Sequence, residues 1–317
     1  MAGSEEVRFQ AGETELAGTL ELPDGPGRYP SVLLLPSYLA RDRDGSWDRT
    51  GHASWFAPSC EGAKLLARLA AALAQRGVAS LRYDKRGCGR SGGRWEASDL
   101  FTLIDDARDA LAWLRGRRDL DLRRSGVVGH GEGAAIALSV AIADPVIGAL
   151  TLIDGAARSW RDVVRRGVAE RARTGRDRDH PLVAAIDRAA EELIEAADRR
   201  ERSRTVHLPD GGALELNLAA WEQAIHTPPL ALASMLHRSV SLVHGDSDAW
   251  VDPDESRLLR AVLAAGGEST PLRLVPGAGH DLDEANAKLI GEVADDLVAR
   301  LQPRELPPLL LAIEEMG

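Results

Sequence analysis

The sequence predicts an α/β fold built on a mostly parallel, doubly wound sheet, and two patterns lead to this class. Short apolar runs without polar alternation recur at 31–35, 79–83, 126–128, 148–153, 240–243 and 272–275. Continuous apolar strands are typical of a parallel sheet that is buried on both faces. Helical periods lie between these runs, at 63–75, 100–115, 132–143, 253–265 and 284–301. This alternation indicates helices on both faces of one sheet.

Two other segments have different patterns. Residues 7–10 and 16–22 alternate in polarity, which predicts an antiparallel hairpin at one edge of the sheet. Residues 157–238 contain helical patterns but no convincing buried strand. We therefore expect a helical cap, or lid, inserted at 157–238 into a core formed by residues 1–156 and 239–317.

The composition excludes several classes of partner. The 317 residues carry a formal net charge of -10, which argues against nucleic-acid binding because phosphates require a basic face. No apolar run approaches the roughly 20 residues that span a bilayer, and residues 1–6 lack a signal region, so we expect no membrane contact and a cytoplasmic location. Cys60 and Cys88 form neither a disulfide framework nor a zinc-type cluster, and we expect no metal or cofactor.

Two surface features leave alternatives open. The segment 158–178 is rich in arginine, which indicates either a solvated helix face or one or two arginines that meet an anionic substrate group. The tail, 306–317, has an apolar centre that could dock on the body or on a second subunit, so a homodimer is possible.

The segment 127–134 has the pattern of a strand, a glycine-rich turn and an alanine-rich helix. This is the context of the nucleophile elbow Gly-x-Ser-x-Gly, in which the central serine stands on a strained turn and attacks the substrate carbonyl. The residue at the tip is Gly131. The turn is therefore predicted to be present without its hydroxyl group.

An acid and a base follow two later strands. Asp248 is the predicted acid, in preference to Asp246 on the same turn, and His280 is the predicted general base. The order nucleophile, acid, histidine is that of one large class of serine hydrolases. Each residue also comes just after the carboxyl end of a predicted strand, where ligands bind in open α/β sheets.

Further residues are candidates for binding substrate. Two backbone N–H groups, those of Tyr38 and Glu132, are predicted to form an oxyanion hole. Substrate-binding candidates surround the loops that converge on the site, although the tryptophans could instead belong to the core and His130 could have a packing role; they are Trp47, His52, Trp55, His130 and Trp250.

Three segments resemble the α/β-hydrolase superfamily in its esterase and serine aminopeptidase-like branch. They are residues 33–45, the segment Tyr-Asp-Lys-Arg-Gly-Cys-Gly-Arg-Ser at 83–91, and 129–133. The resemblance implies an α/β-hydrolase fold and acyl transfer from an ester, thioester or amide to water, with Gly131 at the nucleophile position, Asp248 as the acid and His280 as the base. The sequence departs from the family pattern at Gly131 and at 36–39, which replaces a more glycine-rich oxyanion loop.

Several functions are compatible with a glycine at the tip. Our first hypothesis is a carboxylic ester hydrolase in which Gly131 replaces the serine, such as an engineered, inactive variant that traps its ligand. The alternatives are a natural ligand-binding protein, an enzyme in which His280 activates water or which needs no nucleophile, and an amide or peptide hydrolase. Ser59 and Cys60 are poor replacement nucleophiles because neither has an adjacent base in the sequence.

Overall fold

The structure of the protein is a computed structural model that describes residues 3–38, 41–46, 64–175, 181–207, 211–219, 228–282 and 287–305. Its strands are β1 (Gly3–Ala11), β2 (Thr14–Leu22), β3 (Tyr29–Leu35), β4 (Ala79–Tyr83), β5 (Leu120–His130), β6 (Ile147–Ile153), β7 (Ser203–His207), β8 (Ala213–Asn217), β9 (Val240–Gly245) and β10 (Leu272–Val275). Its helices are α1 (Leu65–Ala74), α2 (Leu100–Arg115), α3 (Glu132–Ala143), α4 (Trp160–Thr174), α5 (Pro181–Asp198), α6 (Pro229–Ser234), α7 (Asp254–Ala265) and α8 (Ala287–Arg300).

Eight of these strands form one sheet, in the order β1-β2-β4-β3-β5-β6-β9-β10. The strands β1 and β2 form the predicted antiparallel hairpin, and β2 is antiparallel to β4. All other neighbours in this sheet are parallel. The prediction of a mostly parallel, doubly wound sheet is therefore confirmed.

The buried strands divide their side chains between two apolar layers. On β3, Leu33 and Leu35 pack in the layer that contains α2 and α3, whereas Val32 and Leu34 pack in the layer that contains α1 and α8. All four side chains are at most 1% exposed. Because both faces of the strand are covered, its sequence shows no polar alternation.

The strand order changes direction next to β3. From β3 the chain runs through α1 to β4 on one side, and from β5 it runs through α3 to β6 on the other. The carboxyl ends of β3 and β5 therefore flank a topological switch point, where open α/β sheets bind their ligands. The loop after β3 and the turn after β5 face each other across this crevice.

The segment 157–238 contains α4, α5, α6 and a hairpin of β7 and β8. Some of its apolar side chains form a cluster of their own, including Val206 of the hairpin and Ile194 of α5. The hairpin was not predicted, because Val206 is the one buried residue of β7 and its short, mostly polar sequence gives no apolar run. The division into a core and a cap stays a prediction.

None of the described helices is both long enough and apolar enough to cross a bilayer.

Candidate active site

The turn between β5 and α3 keeps the backbone of a nucleophile elbow around Gly131. This residue has φ 55° and ψ −114°, a conformation that favours glycine, and its N–H donates to the Ile153 carbonyl of β6 over 2.9 Å. The turn is also tight: a Cβ on Gly129 would lie 2.1 Å from the Gly133 carbonyl oxygen, and one on Gly133 would lie 2.6 Å from the Leu35 carbonyl oxygen. Glycine at these two positions therefore lets the turn fold tightly on itself and lets the start of α3 approach the end of β3.

The hydroxyl group of Ser37 occupies the space above Gly131. A Cβ added to Gly131 would lie 2.0 Å from Ser37 Oγ, 2.9 Å from Ser37 Cβ and 3.0 Å from His280 Nε2. All three distances are at or below the shortest that a real Cβ tolerates. A serine at position 131 therefore cannot coexist with Ser37 in this arrangement.

His280 connects Ser37 to Asp248 through two hydrogen bonds. His280 Nδ1 lies 2.7 Å from Asp248 Oδ2, and His280 Nε2 lies 2.9 Å from Ser37 Oγ. Asp248 Oδ1 accepts the backbone N–H groups of Trp250 over 2.7 Å and Val251 over 3.0 Å. The carboxylate is thus fixed by the turn after β9 while its second oxygen holds the imidazole.

Asp246 has a different position from Asp248. Its Oδ1 accepts the Gly277 N–H over 2.8 Å, and the residue is exposed. Asp246 therefore ties the loop after β9 to the loop after β10, while Asp248 is the carboxylate that meets His280.

The two partners shift each other's pKa in opposite directions. Burial lowers the pKa of His280, but the Asp248 carboxylate outweighs burial, and the net pKa lies above the ordinary 6.5. Burial raises the pKa of Asp248, but His280 and then His244 outweigh it, and the net pKa lies well below the usual range. Asp248 is therefore charged at neutral pH, and it favours the tautomer with a proton on Nδ1 and a lone pair on Nε2 facing Ser37.

Two further histidines support this pair from behind. His130 Nε2 donates to the His280 carbonyl over 2.8 Å, and burial lowers the pKa of His130 to about 3, so the ring is neutral. His244 is fully buried; burial lowers its pKa, but Asp154 and Asp248 raise it to about 9, so it is a cation between two carboxyl groups. His130 was a candidate for substrate binding, but it is 1% exposed and lies beneath His280, in agreement with the packing alternative.

Two overlapping groups of side chains in this network have the geometry of metal ligands. They are His130, Asp154 and His280, and Asp154, His244 and Asp248. The His244 nitrogens already face Ser256 Oγ at 2.6 Å and the Val251 carbonyl at 2.9 Å. A cation here would compete with the hydrogen bonds that orient His280.

A buried ion pair joins the loop after β3 to the first residue of α3. Lys85 Nζ donates to the Ser37 carbonyl over 2.6 Å and to Glu132 Oε2 over 2.7 Å, and it lies 4.7 Å from the centre of the Trp95 ring. Burial lowers the pKa of Lys85, and Glu132 opposes this. Lys85 belongs to the segment 83–91 that carries the family resemblance, but its sequence gave no indication of this role.

The crevice above Ser37 opens into a cavity of about 200 Å³. Apolar side chains from several elements dominate its wall: Leu100, Phe101, Ile104, Ala135, Val163, Val164, Ile186, Leu232 and Val251. Tyr38 also lines it, packs on Trp95 and Trp160, and donates its hydroxyl to the Asn217 carbonyl over 2.9 Å. The predicted candidate Trp250 is part of the wall as well.

The charged side chains in the wall are paired with opposite charges. Glu132 pairs with Lys85, and Arg41 with Asp281 at 3.0 Å. Arg158 and Arg171 pair with Glu255 and Asp187. Other arginines of the segment, such as Arg165 and Arg173, are exposed and form surface ion pairs, as expected for a solvated face. Because Arg158 and Arg171 of the wall are already paired, no anion site is indicated by these two residues. The cavity is suited to an uncharged group.

Some predicted residues lie outside the described part of the chain. They are Trp47, His52 and Trp55, together with Ser59, Cys60, the tail 306–317 and its proposed role in a dimer.

Ser37 was not predicted as a site residue from the sequence. The loop 36–39 was assigned to the oxyanion hole, and the replacement nucleophiles considered were Ser59 and Cys60. A serine in the first loop after β3 faces the elbow across the switch point, and this position could have indicated its proximity to Gly131.

Comparison with known proteins gives a consistent result. The family model for serine aminopeptidases of the S33 type matches residues 59–284. Two uncharacterized proteins of Mycobacterium tuberculosis, from strains CDC 1551 / Oshkosh and ATCC 25618 / H37Rv, are each 27% identical over 234 residues, which is 74% of this chain. The match covers 63% of the length of these curated relatives.

Solved structures share the fold. Est1E from Butyrivibrio proteoclasticus, determined with ferulic acid bound, has a TM-score of 0.63 at 16% identity and covers 92% of this chain and 99% of its own. The α/β-hydrolase GrgF from Penicillium sp. sh18 has a TM-score of 0.62 at 15% identity, with 95% and 99% covered. Pyrococcus horikoshii acylaminoacyl peptidase has a TM-score of 0.61 at 13% identity, with 96% and 43% covered.

Proposed function

Because the chain belongs to the serine aminopeptidase (S33) family of α/β-hydrolases, we propose that it hydrolyses small, uncharged carboxylic esters. The observation that carries this proposal is the Asp248–His280 pair, whose Nε2 contacts Ser37 Oγ at the floor of an apolar cavity at the sheet's switch point. A neutral imidazole in this position accepts the proton of the attacking group and returns it to the leaving alcohol.

The oxyanion formed at the substrate carbonyl needs hydrogen-bond donors. We assign this role to the backbone N–H groups of Glu132 and Tyr38. Glu132 is the first residue of the 12-residue helix α3, where backbone N–H groups have no partner within the helix and the helix dipole favours negative charge. The ion pair between Glu132 and Lys85 holds both segments that carry these amides.

The wall of the cavity favours esters over peptides with a free amino terminus. An exopeptidase needs a carboxylate to receive the substrate's ammonium group, but Glu132 and Asp281 in this wall are already paired with cations. The volume of about 200 Å³ lies below the 300–1,000 Å³ typical of pockets for drug-sized ligands, which suits a short acyl chain or a single ring. We therefore rank ester hydrolysis above amide or peptide hydrolysis.

The sequence alone favoured an inactive variant, with a ligand-binding protein as an alternative. We instead propose an active hydrolase, because the acid, the base and a hydroxyl group within hydrogen-bond distance of that base are all present.

The test is an assay of the purified chain on p-nitrophenyl esters of increasing acyl length, with aminoacyl p-nitroanilides in parallel. We expect turnover of the short esters, a sharp fall for long acyl chains, and loss of turnover in His280→Ala. His207→Ala is the matched control, since His207 is an exposed histidine on the β7–β8 hairpin. Faster cleavage of the anilides, or equal rates for His280→Ala and the unmodified chain, would contradict the proposal.

A further inference from the structure

We propose that Ser37 is the nucleophile, in place of the serine that the elbow lacks at Gly131. This inference rests on the proposed function, since it names the group that attacks the ester. Ser37 Oγ is 2.9 Å from His280 Nε2, and His280 Nδ1 is 2.7 Å from Asp248 Oδ2. A hydroxyl, an imidazole and a carboxylate in this sequence of contacts are the arrangement that activates a serine.

Ser37 Oγ occupies almost the same place as a side chain on the elbow tip would. It lies 2.0 Å from the position that a Cβ on Gly131 would take, which is too close for two non-bonded atoms. The base therefore needs no reorientation to serve Ser37. Because Gly131 has no side chain, the space above it is open, and the Ser37 hydroxyl fills that space. In this sense the two residues are complementary.

The oxyanion donors are also compatible with attack from Ser37. In the usual elbow, one amide belongs to the residue after the nucleophile and the other to the loop after the facing strand. Here the residue after Ser37 is Tyr38, and the residue after Gly131 is Glu132. The N–H groups of Tyr38 and Glu132 would therefore be the oxyanion donors in both cases. The difference is that the attacking hydroxyl is on the loop after β3 and not on the turn after β5.

The loop that carries Ser37 is held in place. Lys85 Nζ donates to the Ser37 carbonyl over 2.6 Å and to Glu132 over 2.7 Å, so the nucleophile loop and the helix N-terminus share one buried cation. The Tyr38 hydroxyl anchors the next residue to the Asn217 carbonyl. Ser37 itself is 1% exposed and lines the cavity, which places it at the floor of the site.

The reaction balances through a covalent ester on Ser37. Ser37 Oγ forms a bond to the substrate carbonyl carbon while its proton moves to His280 Nε2. The tetrahedral oxyanion collapses, the bond to the alcohol oxygen breaks, and His280 gives the proton to the leaving alcohol. Water then attacks the acyl group, its proton passes to His280 and on to Ser37 Oγ, and the carboxylic acid leaves.

A fluorophosphonate probe tests this directly on the unmodified chain, because its phosphorus bonds to an activated serine oxygen and fluoride leaves. Trypsin separates Ser37, in the fragment 29–41, from the elbow, in the fragment 125–158. We expect the adduct on Ser37. In parallel, Ser37→Ala should lose on the order of 10³-fold or more in kcat for p-nitrophenyl acetate. Ser4→Ala, which removes an exposed serine on the edge strand β1, should retain the rate.

The outcomes separate this inference from the proposed function. An adduct on Ser37 without ester turnover would support Ser37 as an activated nucleophile and contradict the choice of substrate. Two results would overturn the inference: ester turnover by a chain that forms no adduct on Ser37, or an unchanged rate in a folded Ser37→Ala variant. Either result would leave an ester hydrolase in which His280 activates water. If the chain shows no labelling and no ester turnover, both the inference and the proposed function are contradicted.

Discussion

The complementarity of Ser37 and Gly131 predicts the stability of Gly131→Ala. The new methyl group would lie 2.0 Å from Ser37 Oγ, which must rotate away and lose its hydrogen bond to His280 Nε2, and 2.9 Å from Ser37 Cβ, which must also move slightly. Overpacking of this kind costs about 1–3 kcal/mol. A non-glycine residue at the φ of 55° adds strain of about 1–3 kcal/mol. We therefore expect Gly131→Ala to lower the free energy of unfolding by about 2–6 kcal/mol.

Two variants separate the contributions. Gly12→Ala is the control for backbone strain, since Gly12 has a φ of 58° and no atom within 4 Å of an added Cβ. In the Ser37→Gly background, Gly131→Ala loses its contacts with Ser37 and keeps only the 3.0 Å approach to His280 Nε2, so its cost should fall towards that of Gly12→Ala. The resulting coupling energy between positions 37 and 131 should be about 1–3 kcal/mol.

Urea unfolding followed by circular dichroism measures these free energies by linear extrapolation. Equal costs of Gly131→Ala with and without Ser37 would refute the complementarity. A cost of Gly131→Ala no larger than that of Gly12→Ala would refute it as well.

Three further predictions concern activity. Only the neutral imidazole of His280 can act as a base, and Asp248 holds the pKa of that imidazole above 6.5, so kcat/KM should rise with pH with a midpoint above 6.5. Asp248→Asn should lower both this midpoint and the maximal rate. An unshifted midpoint would argue against His280 as the base. Lys85→Met removes the ion pair with Glu132 and the hydrogen bond to the Ser37 carbonyl, so kcat should fall. Lys288→Met, at an exposed lysine, is the control and should keep the kcat of the unmodified chain. Equal kcat values for the two variants would show that Lys85 does not position Ser37. Gly131→Ser should lower ester turnover, since its side chain enters the space of Ser37 Oγ, and a gain in turnover would instead favour a site that lacks its original serine.

Much of the architecture could be read from the sequence, because the central strands are apolar on both faces and the helices α1, α2, α7 and α8 have an apolar period. The elbow, Asp248 and His280 were also accessible, since their positions follow from the carboxyl ends of consecutive strands. The hairpin of β7 and β8 was not, because its strands are short and mostly polar.

The position of Ser37 could not be derived from local patterns. Ser37 and His280 are 243 residues apart, in the loops after β3 and β10, and their contact depends on the sheet bringing both loops to its carboxyl edge beside the elbow. The role of Lys85 depends on the same long-range geometry, because one ammonium group contacts two loops that the sequence keeps 95 residues apart, at positions 37 and 132. From the sequence alone, a glycine at the elbow tip suggests that the nucleophile has been lost. The structure places the Ser37 hydroxyl of the loop after β3 next to this glycine.

The most direct test of the account is to identify the acylated residue during turnover. The unmodified chain is mixed with p-nitrophenyl acetate, quenched in acid within the first turnovers, digested with trypsin and sequenced by mass spectrometry. The account predicts an acetyl group on Ser37 in the fragment 29–41 and an unmodified fragment 125–158. Steady turnover with no acetylated residue, or an acetyl group on a side chain other than Ser37, would contradict it.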